Sequence, residues 1–162
     1  MKTLILVRHA KSSWEFNMND HDRPLNERGI SDANLISKHL KEQKLEIDLV
    51  LTSDAVRAKS TAKIVVANLN IDASTFHMEK NLYDFSGKNL VRVIQNCENS
   101  VDTLMIFGHN HAVTAFVNTY GTILIDNVPT CGVVIITFNI KDWKDLIKGE
   151  TITTLFPKDF KK

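Results

Sequence analysis

Cysteine is scarce in this sequence, since only Cys97 and Cys131 occur among 162 residues. So few thiols exclude a small fold held together by disulfides, and we expect both to be free, as in intracellular proteins, although they could in principle pair. Neither fits the Cys-x5-Arg loop of the cysteine phosphatases, because the residues six positions further on are Thr103 and Thr137. A cysteine nucleophile is therefore not expected.

An excess of charge of either sign is also missing, and so is a long hydrophobic run. The formal net charge of +1 gives no broad electrostatic reason to expect nucleic acid or an acidic membrane as a partner. The apolar stretch near the N-terminus, from Leu4 to Val7, is too short for a signal-peptide core or a membrane span. We therefore expect a cytoplasmic protein with no nucleic-acid partner and no membrane partner.

Linkers, internal repeats and low-complexity tracts are absent as well. With only three prolines and six glycines, no Pro/Gly/Ser-rich stretch divides the chain. The length of 162 residues is that of about one domain. We expect a single domain over residues 1–162, in which 157–162 form a loose tail.

What the sequence does contain is an alternation of apolar strands and amphipathic helices. Strands are predicted, in chain order, at residues 2–7, 48–52, 76–78, 103–107, 132–138 and 151–156, one of the last two at a sheet edge. Helices are predicted from Asn26 to about Lys44, after the cap Asp54, from Ser86, and after Asn110. This order predicts an α/β fold, a three-layer α/β/α domain with a mainly parallel sheet.

Cations and imidazoles follow three of the predicted strands. Arg8 and His9 come directly after the first strand, Arg57 lies in the first helical turn after the second, and Gly108 and His109 follow a later strand. Because the carboxyl ends of parallel strands share one edge of a sheet, we expect these side chains to meet. A cation in the first turn of a helix opposes the helix dipole, and a bound anion would offset that penalty.

A phosphoryl group is the ligand that these residues fit best, since planar guanidinium groups match its oxygens bidentately. His9 is the predicted nucleophile, because its strand holds it rigidly and the nearby Arg8 and Arg57 favour a neutral ring. His109 is predicted to donate a hydrogen bond to the phosphoryl oxygens, and Gly108 to permit close backbone approach. Ser12 could supply a further donor, or could belong to an ordinary turn.

At this point the residues resemble a known family. Arg8-His9-Ala10 resembles the Arg-His-Gly signature of the histidine phosphatase superfamily. The stretches LVRHAKSSW at 6–14 and DRPLNERG at 22–29 are similar to its small SixA-type branch, and the similarity continues through 53–58, 82–83 and 108–110. The resemblance implies a phosphoglycerate-mutase-like architecture, a phosphorylated His9, a phosphate pocket of Arg8, Arg57 and His109, and no metal or other cofactor.

The proton donor of the larger superfamily members is harder to place. Those proteins use a Glu or Asp to protonate an alcohol leaving group, and residues 78–87 offer only Glu79 and Asp84. A P–N bond needs less of that help, because its nitrogen departs readily once the ring is protonated. We therefore predict a phosphohistidine phosphatase acting on a phosphorylated protein, either a histidine-containing phosphotransfer domain or a phosphocarrier. A small-molecule phosphomonoesterase and a non-catalytic phosphate- or phosphoprotein-binding module are the alternatives.

Three other groups of residues have simpler interpretations. The stretches 20–22 and 109–111 contain metal-ligand residue types, but no spacing typical of a zinc hydrolase accompanies them. The side chains of Asp22, Arg23 and Arg28 are predicted to form a structural ion-pair cluster. The aromatic residues Trp14, Phe16 and Tyr83 are predicted to pack rather than to stack on a substrate.

Overall fold

One six-stranded sheet, in the order β3-β2-β4-β1-β5-β6, organises the protein. The computed structural model describes residues 1–15 and 17–161. The strands are β1 (Lys2–Arg8), β2 (Leu49–Thr52), β3 (Phe76–Met78), β4 (Thr103–Gly108), β5 (Val133–Phe138) and β6 (Glu150–Leu155). Neighbouring strands from β3 to β1 pair in parallel, whereas β5 runs antiparallel to β1 and to β6. The predicted mainly parallel sheet is confirmed, and β6 is the predicted edge strand.

Helices cover both faces of this sheet, as α1 (Glu27–Glu42), α2 (Val56–Asn68), α3 (Lys88–Gln95) and α4 (Ala112–Tyr120). Successive residues of a strand point to opposite faces, so β1 supplies both cores. Ile5 packs in the core that contains α1 and α2, and Leu6 packs in the core that contains α3 and α4. The three-layer α/β/α architecture is thereby confirmed. No helix among the described residues is long and apolar enough to cross a bilayer.

The strand register aligns the carboxyl ends of β1, β2 and β4 at one edge of the sheet. In the β1–β4 pair, Arg8 lies opposite Gly108. The pairing continues past the strands, because the His9 N–H donates to the Gly108 carbonyl at 3.1 Å and the Ser53 N–H donates to the Phe107 carbonyl at 3.1 Å. The residues that follow β1, β2 and β4 are therefore held by the sheet itself at its carboxyl edge.

Two predicted helix starts are corrected by the structure. Asp54 does not cap α2, whose N-cap is Ala55 without a side-chain hydrogen bond. The Asp54 carboxylate instead contacts the His21 ring nitrogen Nε2 at 2.9 Å. α3 begins at Lys88 rather than at Ser86, because its N-cap is Gly87 with a positive φ of 104°, a conformation that glycine adopts without strain.

The end of the chain also differs from the prediction of a loose tail. Pro157–Phe160 form a short 3-10 helix in which Pro157 is buried. The Phe160 ring stacks on His39 of α1 with ring centroids 3.5 Å apart, and Lys161 contacts the buried Asp32 at 2.7 Å. An aromatic contact and an ion pair thus hold residues 157–161 against α1, and Lys162 lies outside the described residues.

Asp84 provides a direct test of how α3 is held. Its buried carboxylate accepts backbone N–H bonds from Gly87, Asn89 and Leu90 at 3.0–3.1 Å, so it satisfies donors that the helix itself leaves unpaired. We expect Asp84→Ala to lower the free energy of unfolding by about 2–3 kcal/mol, since several bonds to a charged acceptor are lost together. Urea denaturation measures this change.

Glu79→Ala is the matched control, because within the described residues its carboxylate accepts a hydrogen bond only from the exposed Asn81 side chain, at 3.2 Å. The control is expected to change the unfolding free energy by less than about 0.5 kcal/mol. Equal stability losses in the two variants would contradict the capping role of Asp84.

Candidate active site

A pocket of about 310 Å³ opens at the carboxyl edge of the sheet. The loops after β1 and β4 and the first turn of α2 contribute to its lining, together with residues from two further loops. The lining residues that carry the chemistry are Arg8, His9, Ser12, Asp20, Arg23, Arg57 and His109. Arg8, His9, Arg57 and His109, which the sequence predicts to converge, therefore share one pocket.

His9 is fixed in a tautomer suited to nucleophilic attack. Its side chain is buried, and its Nδ1 lies 2.7 Å from the Ala10 carbonyl oxygen. A carbonyl only accepts hydrogen bonds, so Nδ1 carries the proton and Nε2 keeps its lone pair. Burial, with repulsion from neighbouring guanidinium groups, lowers the pKa of His9 to about 4, although the Ala10 hydrogen bond opposes the shift. The ring is therefore neutral at physiological pH.

Arg57 lies directly beside the free nitrogen of His9. Its Nε is 3.4 Å from His9 Nε2, at the long end of hydrogen-bonding distance. The Arg57 side chain is almost fully buried in the first turn of α2, where the helix dipole gives no stabilisation to a cation. The second guanidinium of the pocket belongs to Arg8, which donates to the Val128 carbonyl at 2.9 Å. Burial first, and repulsion by Arg57 second, lower the pKa of Arg8.

His109 faces His9 across the pocket, with ring centroids 5.2 Å apart. Its Nε2 lies 2.8 Å from the Ser53 hydroxyl, which in turn accepts from the Ala55 N–H. The hydroxyl proton can donate to His109 Nε2, and with that donation the ring proton of His109 lies on Nδ1. Burial first lowers the pKa of His109 to about 3, with repulsion from Arg57, and from His9 at low pH where that ring is protonated, adding to the shift, so this ring is also neutral at physiological pH.

The pocket has the electrostatics of an anion site. Arg8 Nε, Arg23 Nε and His109 Nδ1 are buried and have no hydrogen-bond partner among the described residues. Leaving such donors unpaired is costly, as is gathering several guanidinium groups in one place. A tetrahedral dianion would offset both costs, because it offers several acceptor oxygens and two negative charges.

Arg23 is a pocket residue that the sequence analysis placed elsewhere. Asp22, Arg23 and Arg28 do not form the predicted ion-pair cluster, because Arg23 turns inward while Arg28 pairs with Asp32 along α1 at 3.6 Å. The Arg23 guanidinium donates to the Ser12 hydroxyl, so Ser12 lines the pocket and orients a cation. The signal for Arg23 is the motif DRPLNERG, in which it stands before a proline that ends the loop.

The exposed aromatic residues near the pocket contact its charged residues. Trp14 is exposed, and its ring lies 3.3 Å from the Arg23 guanidinium carbon, a cation–π contact rather than the predicted packing. Tyr83 is half-buried and meets the His109 ring edge to face, with centroids 5.3 Å apart. Phe16, which was predicted to pack, lies outside the described residues.

Asp20 is the second residue that sequence reasoning missed. Its carboxylate accepts from Arg57 Nη2 at 2.8 Å, from the Tyr83 hydroxyl at 2.6 Å and from Arg23 Nη1 at 3.2 Å. Partial desolvation opposes ionisation, but the hydrogen bonds and the two cations outweigh it and lower the pKa of Asp20. No motif marks this residue, because it comes from a loop whose path only the fold determines.

The two predicted proton-donor candidates lie away from this pocket. Asp84 is committed to capping α3, and Glu79 lines a separate cleft of about 760 Å³ between β3 and α3. That larger cleft carries Asp48, Glu79 and Glu98 carboxylates against one guanidinium, a poor environment for a phosphate. We therefore assign the site to the smaller pocket.

Gly108 has a different role from the predicted one. It does not line the pocket, and its carbonyl positions His9 by accepting the His9 N–H. A Cβ at Gly108 would meet Val113 at 3.8 Å, an ordinary contact, so space does not demand glycine there.

The suggested metal-ligand stretches do not assemble a centre. His21 pairs with Asp54, and no group of three or more His, Cys, Asp or Glu side chains converges within residues 1–15 and 17–161. This part of the chain therefore offers no protein-ligand set for a metal ion.

Comparison with known proteins agrees with this geometry. Residues 4–94 match the model of the histidine phosphatase superfamily, branch 1. An uncharacterized protein of Mycobacterium tuberculosis is 30% identical over 153 residues, which cover 88% of this chain and 93% of that protein. A 2,3-bisphosphoglycerate-dependent phosphoglycerate mutase of Allorhizobium ampelinum is 37% identical over 70 residues, 41% of this chain and 33% of the mutase.

A structural comparison finds the same fold in a solved structure. The protein histidine phosphatase SixA, solved in complex with tungstate, superposes with a TM-score of 0.83 at 22% identity and covers 98% of this chain and 99% of that chain. The fold is that of SixA, and on the match of its sequence the chain belongs to the histidine phosphatase superfamily, branch 1.

Proposed function

We propose that this protein is a phosphohistidine phosphatase that works through a phospho-His9 intermediate. The observation that carries the proposal is the state of His9, a buried neutral ring with Nδ1 bound to the Ala10 carbonyl and an unprotonated Nε2 beside Arg57. A nucleophilic imidazole requires this arrangement, because the attacking nitrogen must hold a lone pair while the other nitrogen is fixed.

In the first step, His9 Nε2 attacks the phosphorus in line with the leaving group. The new N–P bond forms as the P–N bond to the substrate imidazole breaks. The departing nitrogen keeps the bonding electron pair, and a neutral imidazole leaves, because the substrate ring is already protonated at its other nitrogen. In the second step, water attacks the phosphorus of phospho-His9, the P–Nε2 bond breaks, and inorganic phosphate leaves. Arg8, Arg57 and His109 hold the equatorial oxygens in both steps, because their donors surround the pocket.

The carboxylates around the pocket favour a P–N bond over an alkyl phosphate. Asp84 and Glu79 cannot protonate a leaving group in this pocket, because the Asp84 carboxylate caps α3 and Glu79 lines a separate cleft. Asp20 lines the pocket, but its contacts with Arg57, Arg23 and Tyr83 keep it ionised and therefore poor as an acid. An alcohol leaving group depends on such an acid, whereas an imidazole that is already protonated does not.

The mouth of the pocket suits a histidine presented by another protein. Trp14 and Phe85 line it and are exposed, so the described residues form no large cap over the phosphoryl site. We propose that the substrate is a cytoplasmic histidine-containing phosphotransfer domain or phosphocarrier, and that catalysis needs no metal. A small-molecule phosphomonoesterase is the second candidate, favoured by the partial match to a phosphoglycerate mutase.

Replacing the nucleophile tests the covalent step. We expect His9→Ala to abolish hydrolysis of phosphohistidine, because the attacking nitrogen is lost, while inorganic phosphate still binds to the remaining cations. His77→Gln, which changes an exposed histidine outside the pocket, is expected to keep wild-type turnover. Turnover is measured as phosphate release from a phosphorylated phosphotransfer domain. Substantial activity in His9→Ala, or stoichiometric acid-labile phosphate on another side chain of that variant, would contradict the assignment.

Substrate preference separates the two candidate functions. Because no carboxylic acid is placed to protonate an alcohol, we expect kcat/KM for phosphohistidine or imidazole phosphate to exceed that for sugar phosphates by at least about 10²-fold. A panel of phosphorylated carrier proteins, imidazole phosphate and sugar phosphates measures the ratio. Comparable rates for both classes would instead support the phosphomonoesterase, and the absence of all turnover would leave a binding module.

The pH dependence of kcat/KM reports the protonation of free His9. Its pKa is lowered to about 4, so the nucleophile is neutral above that pH and becomes a cation as the pH falls through it. We therefore expect kcat/KM to hold down to about pH 5 and to fall near pH 4, after correction for titration of the substrate. A loss of activity centred near 6.5, the ordinary histidine value, would show that His9 is not desolvated as described.

A further inference from the structure

The phosphate pocket already contains an anion that belongs to the protein. Asp20 uses both terminal nitrogens of Arg57, because its main-chain carbonyl accepts from Nη1 at 2.6 Å and its carboxylate accepts from Nη2 at 2.8 Å. The same carboxylate accepts from Arg23 Nη1 at 3.2 Å and from the Tyr83 hydroxyl at 2.6 Å. Asp20 thus accepts hydrogen bonds from both Arg57 and Arg23 at this side of the pocket.

These are donors that a bound phosphate would need. The terminal nitrogens of a guanidinium form one fork, which matches a single carboxylate or phosphate. Arg57 also reaches the attacking nitrogen of His9 through Nε at 3.4 Å, so a phosphoryl group in line with His9 must lie beside this fork. A phosphate and the Asp20 carboxylate cannot both occupy it, and their negative charges repel each other.

The Asp20 carboxylate is exposed enough to rotate away from the guanidinium groups. Its side chain is 44% exposed, whereas those of Arg57 and Arg23 are only 4% and 8% exposed. The residue belongs to a 3-10 helix of three residues, Asp20–Asp22, none of which is buried. Rotation of this side chain into water therefore frees Arg57 Nη2 and Arg23 Nη1 without disturbing either hydrophobic core, while the main-chain carbonyl of Asp20 keeps its bond to Arg57 Nη1.

We propose that Asp20 is an internal competitor that occupies the phosphate position of the empty enzyme and must be displaced by the phosphoryl group. A ligand then binds only if it interacts with the cations more strongly than one carboxylate does. A phosphoryl dianion meets this requirement, and carboxylates, which bring a single negative charge, do not. Asp20 in this way determines the specificity of the pocket for doubly charged oxyanions. This inference rests on the assignment of the pocket to phosphate in the proposed function.

Direct binding of inorganic phosphate tests the competition. Isothermal titration at neutral pH and constant ionic strength compares the wild type with Asp20→Asn, in which the competing charge is removed. We expect the dissociation constant for phosphate to fall by about tenfold, since one charge-assisted contact no longer has to be broken. Tyr83→Phe removes one donor that holds the carboxylate, and the expected fall is smaller, about threefold.

Asp22→Asn is the matched control. It removes the same charge two positions away, but Asp22 is exposed, and among the described residues its carboxylate forms an ion pair only with His21, at 3.7 Å. Its effect on phosphate binding is expected to stay within about twofold, because exposed charges are screened by salt. In turnover assays of Asp20→Asn, KM and the phosphate inhibition constant are expected to fall by the same factor.

If Asp20 merely held Arg57 in place, Asp20→Asn would raise the dissociation constant for phosphate instead of lowering it. Phosphate binding that is weaker or unchanged in Asp20→Asn, while the wild type binds phosphate, would overturn the competition and leave the proposed function standing. An absence of phosphate binding in the wild type and every variant would overturn both. Tighter phosphate binding in Asp20→Asn supports the competition even if phosphohistidine proves not to be the substrate.

Discussion

The hydrogen bond between His9 Nδ1 and the Ala10 carbonyl, 2.7 Å long, is the contact on which the chemistry of this protein depends. It decides which ring nitrogen holds the proton, and burial keeps a second proton away. The sheet supplies the rigidity, because β1 lies between β4 and β5 and the His9 N–H is itself bonded to Gly108. A ring on a mobile loop would lose this orientation, and its pKa would return toward the ordinary value.

The other charged residues of the pocket offset the repulsion between three guanidinium groups that the fold brings together. Bringing Arg8, Arg23 and Arg57 to one edge of the sheet costs free energy through mutual repulsion and through loss of water. In the empty protein, part of this cost is offset by backbone carbonyls and by the Asp20 carboxylate. A phosphoryl group offsets it more completely, so binding energy is concentrated on the group that reacts. Burial first, and then the same cations, keep His9 neutral. In the proposed reaction the cations also stabilise the charge that develops on the phosphoryl oxygens.

The sequence predicted the parts of the site that follow from strand order. Arg8, His9, Arg57 and His109 lie at or after strand ends, and parallel pairing brings strand ends together whatever the details of the loops. Asp20 and Arg23 escaped prediction, because the path of a long loop after β1 depends on tertiary contacts such as the bridge between Ser12 and Leu25. The role of Asp84, which the sequence left open as a proton-donor candidate, also could not be predicted, since only the structure shows that its carboxylate faces the backbone of α3.

The protonation state of His9 at rest is the most direct test of this account. A long-range ¹⁵N–¹H correlation spectrum of histidine-labelled protein at neutral pH, with the His9 signals assigned by their loss in a His9 variant, reports each ring nitrogen separately. The account predicts a neutral ring with a protonated Nδ1 and an unprotonated Nε2. An imidazolium, or a neutral ring with the proton on Nε2, would contradict it, because the nitrogen beside Arg57 would then have no lone pair with which to attack.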